Sequence, residues 1–163
     1  MKKEIRTIVY DEELRIEAYR FEGIAQPLPN HFHEHYVIGF VEKGQRTLSC
    51  RNKEYGIECG NVVLFNPGDN HACVQSDDGT FDYRGFNISK SIMLDLAEEV
   101  TGRRELPGFS KNVLYEHASI PRPFTVFAPW AAQLFKNSVS AGGSVKKFVF
   151  LVKNGSFLVR IQI

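Results

Sequence analysis

His31-Phe32-His33-Glu34-His35-Tyr36, answered by Gly60-Asn61-Val62-Val63-Leu64-Phe65-Asn66-Pro67-Gly68-Asp69-Asn70-His71, holds four of the chain's five histidines. A histidine-rich strand start, an apolar strand, a Pro-Gly turn and a further histidine form an arrangement by which a small β-barrel gathers imidazoles around one cavity. Side chains along a strand alternate with period two, so His31, His33 and His35 are expected on one face and Phe32, Glu34 and Tyr36 on the other. His71 would join the histidine face from another strand. Neutral imidazoles hold a divalent metal such as zinc at about 2.0–2.1 Å. They also hydrogen-bond a sugar hydroxyl or a backbone carbonyl with no metal present.

Outward from these two stretches the chain reads as strands first and helix last. Thr7 to Ile24 carries short apolar groups among charges and suits strands or an extended arm, broken by Pro27 and Pro29. Between Tyr36 and Ile57, turn chemistry at Glu42-Lys43-Gly44-Gln45 and Arg51-Asn52-Lys53-Glu54 divides two or three strands at a spacing typical of an all-β sandwich or barrel. Val62 to Phe65 reads as a strand buried on both faces. Ala72 to Gln75 and Phe81 to Ile88 read as a hairpin across Ser76-Asp77-Asp78-Gly79. Ser89 then caps a helix with Ile92, Leu96 and Val100 on one stripe, and Gly102 stops it. Beyond it, Trp130 to Ser138 is a candidate second helix. Lys153-Asn154-Gly155-Ser156 carries the signal of a hairpin with a type I′ turn inside the apolar run from Lys147 to Ile163.

The 163 residues, 43% of them hydrophobic, suffice for one domain with a real core. A formal net charge of +1 and a pI near 7.7 give no electrostatic footprint of a self-sufficient nucleic-acid binder. Cys50, Cys59 and Cys73 are widely spaced and form no CxxC pair, which argues against a disulfide framework or a zinc knuckle. No secretory h-region and no spanning run is visible, so a cytoplasmic location away from membrane is expected.

The runs HFHEHYVIGFVEKG and GNVVLFNPGDNHAC, within His31 to Ile88, resemble a cupin barrel and in particular the sensor domain of AraC-family transcriptional regulators. The resemblance implies a mainly β, jelly-roll or double-stranded β-helix barrel followed by one or two C-terminal helices. Residues 1–102 would form the barrel with its first flanking helix. Residues 103–163 would be a dimerisation and tail region of the same domain. It further implies a small effector, in the type case a sugar, bound inside a homodimeric sensor without any reaction. Matching strand by strand, the ligand-binding candidates are His33, His35, His71, Cys73 and Tyr83, with Arg20 from the amino-terminal segment. Gly85 departs from the arabinose-responsive member, which places a stacking tryptophan at that position.

Metal-dependent cupin enzymes carry a His-x-His, a glutamate three or four residues on, and a later histidine. His33, His35 and His71 match the histidines, making zinc, nickel or iron the candidate metals although none is required. The glutamate position counted from His35 falls at Ile38 or Gly39, which cannot ligate, and Glu42 faces away unless a bulge turns it. An isomerase or dioxygenase is therefore the alternative rather than the leading expectation.

Regulators of this family add roughly a hundred residues with two helix-turn-helix units that enter the major groove. The stretch after Ser89 carries no such pair, so DNA is expected to be read only through a domain absent from this sequence. A fragment, a natural truncation and a change of reading frame are alternative explanations. The apolar tail would need cover from the barrel or from a second subunit, in keeping with a dimer.

Overall fold

The computed structural model describes residues 3–12, 14–115, 147–153 and 156–162. Its elements are β1 (Ile5–Asp11), β2 (Ile16–Ile24), β3 (Leu28–His31), β4 (Tyr36–Lys43), β5 (Gln45–Cys50), β6 (Lys53–Glu58), β7 (Val62–Phe65), β8 (His71–Gln75), β9 (Phe81–Ile88), α1 (Lys90–Thr101), β10 (Val113–Leu114), β11 (Lys147–Lys153) and β12 (Ser156–Gln162). A six-stranded sheet in the order β1-β2-β9-β4-β7-β10 faces a four-stranded sheet in the order β3-β8-β5-β6, and all the pairings are antiparallel. This is the mainly β, double-stranded barrel expected of a cupin, with the helix following it.

Local chemistry accounts for the turns. Gly44 takes φ +80° between β4 and β5, and Arg51 and Asn52 both take positive φ (51° and 60°) in the two-residue turn between β5 and β6. Ser89 accepts a hydrogen bond from the Ile92 amide at the start of α1, and Gly102 closes the helix in the left-handed region at φ +72°. Strand β7 is buried on both faces, as its four apolar residues predict.

Alternation along the large sheet creates two cores. Tyr19, Val37, Val41, Val63, Phe65, Phe81 and Tyr83 point into the barrel and meet Leu48, Cys50, Ile57 and Cys73 of the small sheet. Ala18, Ile38, Val62, Leu64, Phe86 and Ile88 point the other way and meet Met93, with Ile92 and Leu96, on α1. Phe109 and Val113 are buried, so residues just past the helix pack back onto the barrel.

The expected β8–β9 hairpin does not form. Strand β8 pairs with β3 and β5, whereas β9 pairs with β2 and β4. The turn at Ser76–Gly79 therefore carries the chain from one sheet to the other, a choice made by long-range pairing rather than by the turn itself. Strands β11 and β12 do pair as an antiparallel hairpin, with Lys153 opposite Ser156. The expected turn type at Asn154-Gly155 and the candidate helix at Trp130 to Ser138 lie outside the described residues.

Candidate functional site

The barrel holds a partly open cavity of about 250 Å³. Most of its wall is apolar, from Leu28, Val37, Leu48, Ile57, Val63, Phe65 and Phe81. On this wall the ligating nitrogens of His31, His33 and His71 lie within 4.8 Å of one another.

Two devices bring these imidazoles together. His31 and His71 are directly paired across β3 and β8, and the Gly68 amide donates to the His33 carbonyl at 2.8 Å. Gly68 sits at φ +87° as the third residue of the Asn66-Pro67-Gly68-Asp69 turn, which the Asp69 amide closes on the Asn66 carbonyl at 3.1 Å. Proline at the second turn position and a left-handed glycine at the third is the type II requirement.

The turn is braced from behind. The Asp69 carboxylate accepts from the Asn66 amide (3.0 Å), Asn66 Nδ2 (3.1 Å) and Asn112 Nδ2 (3.2 Å). The Asp69 carbonyl accepts from His71 Nδ1 at 2.9 Å, and Phe65 stacks on the His71 ring at 3.8 Å between centroids. His31 Nδ1 likewise donates to the Pro29 carbonyl at 2.6 Å. A carbonyl can only accept, so both rings carry their proton on Nδ1 and present a bare Nε2 lone pair when neutral.

Burial and the neighbouring imidazoles of His71, His31 and His35 lower the His33 pKa from 6.5 to about 4, and burial also lowers that of His71. His33 and His71 are therefore neutral at neutral pH. The unfolded chain takes up protons near pH 6.5 while folded His33 refuses them until about 4, so the stability of metal-free protein rises with pH across that window. His33 is only partly buried, so about 1–2 kcal/mol of stability should be lost between pH 6.5 and 4 after discounting for solvent screening. Denaturant midpoints taken through this range, compared with His33→Ala, check it; parallel pH profiles for the two proteins would count against the assignment.

The cavity also holds a tyrosine pair. Tyr19 donates to the Tyr83 hydroxyl at 2.9 Å, and both phenols are buried, which raises their pKa. Cys73 lines the same wall, its thiol pushed up to about 11 by burial. Glu17 and Asn87 line the cavity further along and are hydrogen-bonded to each other. Arg6 and Ile8 of the exposed edge strand β1 also line it.

Of the residues singled out in the sequence, the structure places His33, His71, Cys73 and Tyr83 on this cavity. His35 stands apart from it. Residues 32–35 leave the strand ladder between β3 and β4, so the period-two rule lapses and His31, not His35, converges with the other two imidazoles. His35 lines a second cavity of about 240 Å³ with Tyr10, Arg15 and Ser89, and Glu17 and Asn87 line both. Arg20 is also displaced: Glu17, Tyr19 and Phe21 take the inner positions of β2, leaving Arg20 outside against Glu22 (3.0 Å) and Glu42 (3.7 Å). Glu42 is shared with Arg84, and so serves an outer ion cluster. Tyr19, Glu17 and Asn87 were not among the expected ligand-binding residues; alternation places the first two on the face of β2 opposite Ile16 and Ala18.

A family model described as the AraC-like ligand binding domain matches residues 14–136. An uncharacterized HTH-type transcriptional regulator, YbfI, of Bacillus subtilis (strain 168) is 53% identical over 117 residues. The match takes in 72% of this chain and 42% of that protein, so the chain spans less than half of its relative. Solved structures with a related course include an RmlC-like cupin family protein with a double-stranded β-helix fold from Methanocaldococcus jannaschii (15% identity, 55% of this chain and 83% of that one, TM-score 0.48). Another is a Cupin 2 conserved barrel domain protein from Salinispora arenicola (17%, 55% and 78%, TM-score 0.47).

Proposed function

Because the chain belongs to the family of AraC-like ligand-binding domains, we propose that its barrel is the effector-sensing part of a homodimeric transcription regulator that reads DNA through a separate helix-turn-helix domain. The supporting observation is the cavity itself, apolar along most of its wall, with an imidazole cluster and further polar side chains at Glu17, Tyr19, Tyr83 and Asn87. It suits a small organic molecule with a polar head at His31, His33 and His71 and an apolar body against Leu48, Ile57 and Phe81.

Binding without turnover is the reading adopted. A ligand that touches Arg6 and Ile8 while seated in the cavity favours the docked arrangement of β1 over an undocked one, and it shifts that equilibrium only by its difference in affinity for the two. The metal-cupin enzyme reading draws its support from the three imidazoles. Among the described residues no carboxylate belongs to that group of ligating atoms, and Val37 occupies the position four residues after His33.

A thermal-shift screen of small carboxylic acids, alcohols and sugars, followed by calorimetry on the best compound, tests the sensor reading. His33→Ala should weaken binding at least tenfold, about 1.4 kcal/mol, for the loss of one good polar contact. Equal affinity of the parent and this variant would sink the placement of the effector head.

A further inference from the structure

We infer that the effector is an organic cation, an amine whose ammonium group pairs with Glu17 and whose apolar body lies against the aromatic wall of the barrel. The inference rests on the sensor reading for there being an effector, and on the cavity for its charge. Glu17 lines the cavity two residues before Tyr19, on the same face of β2. Asn87 Nδ2 donates to its Oε1, and the opposite orientation of that amide would set two acceptors against each other. A carboxylate accepts at about four positions. This one receives a single hydrogen bond and enters no ion pair among the described residues. The Asn87 Oδ1 atom is buried without a donor as well, so both members of the pair are short of donors.

The surrounding charges leave that carboxylate uncompensated. Arg6, the one arginine or lysine on the cavity wall among the described residues, is paired with Glu4 and lies over Phe21. It also stands four residues from Tyr10, the β1 partner of Glu17, about 13 Å along the strand. Arg46 is buried against Phe81 and held to the Ile24 carbonyl, and Phe81 lies six residues from Asn87 on β9, about 20 Å away. Arg15 and His35 share the second cavity with Glu17, and neither forms an ion pair with it. The imidazoles add acceptors rather than charge, because His31 and His71 commit Nδ1–H to backbone carbonyls and offer Nε2 lone pairs.

An unpaired carboxylate beside apolar walls is costly until a cation meets it. Tyr19, Phe21, Phe65, Phe81 and Tyr83 line the same space, and their ring faces attract an ammonium group and repel an anion. An anionic head would meet Glu17 and the imidazole lone pairs, so charge and hydrogen-bonding pattern both select a donor.

The test uses the full chain in chelator-treated buffer, with probes that share one apolar body: phenethylamine, phenethyl alcohol and phenylacetate. Calorimetry should find the amine at least tenfold tighter than the alcohol, the worth of about one charge-assisted hydrogen bond, and the acid weakest. Glu17→Gln keeps the size and the acceptor for Asn87 but removes the charge. It should bring the amine to within about threefold of the alcohol and leave the affinity for the alcohol unchanged. Should that variant fail to fold, the ranking of the probes on the parent decides. An alcohol or acid that binds the parent as tightly as the amine overturns the inference. So does an amine preference that survives in Glu17→Gln, or no response to the amine at all. Failure of the amine with retained binding of another screened compound spares the sensor reading, whereas a chain that answers neither to the amine nor to any compound in the screen defeats both.

Discussion

Gly85→Ala is expected to lower the stability of the barrel by about 3 kcal/mol, or an unfolding midpoint lower by about 6–12 °C, through overpacking against atoms that cannot withdraw. A Cβ at Gly85 would overlap the Tyr19 hydroxyl and stand 2.8 Å from the Ile38 carbonyl oxygen, which belongs to the neighbouring strand. Its direct partner across β4 and β9 is Gly39, where a Cβ would overlap the Tyr83 hydroxyl and ring. The two glycines thus form a notch in the inner face of the large sheet, and the hydrogen-bonded tyrosine pair lies in it. Gly39→Ala should cost a similar amount. The double variant should cost less than the sum of the two, since both changes displace one pair of rings. Adding Tyr83→Phe to Gly39→Ala should recover part of the loss by removing the overlapped oxygen. Chemical denaturation of the four proteins checks the scheme, and a Gly85→Ala protein within 2 °C of the parent would rule the notch out. The same geometry explains why this chain has no aromatic platform at position 85: Tyr19 already fills the space in front of it.

Asp69→Ala should destabilise the fold by about 3 kcal/mol and remove ligand binding together. Its carboxylate gathers three donors from Asn66 and Asn112, and Arg51 stands 3.7 Å away. Truncation leaves the Asn112 amide, in a residue only 4% exposed, short of one acceptor. It also loosens the turn that donates to His33 and whose carbonyl orients His71. Asp69→Asn separates the two effects. It keeps the size but loses the charge and half of the accepting capacity, so it should retain most of the stability and still weaken binding tenfold or more. Binding unchanged in Asp69→Asn would show that the His71 orientation does not depend on this brace.

Local chemistry, legible in the residues alone, determined much of this protein. Gly44, Arg51-Asn52, Asn66-Pro67-Gly68-Asp69, Ser89 and Gly102 mark turns and helix ends that the structure bears out, because capping and positive φ are decided within a few residues. The clustering of histidines around a Pro-Gly turn pointed to the right barrel and the right end of it. Which histidines meet was decided elsewhere. The period-two rule holds only while the chain stays in a ladder, and residues 32–35 leave it, so His31 takes the place expected of His35. The inward face of β2 depended on its two partners, which turned Tyr19 in and Arg20 out. Strands β8 and β9, adjacent in sequence and joined by a good turn, went to opposite sheets because each found longer-range partners there. Turns and caps are short-range and belong to the sequence; the choice of face, partner strand and cavity wall is a contest among distant pairings that only the folded chain settles.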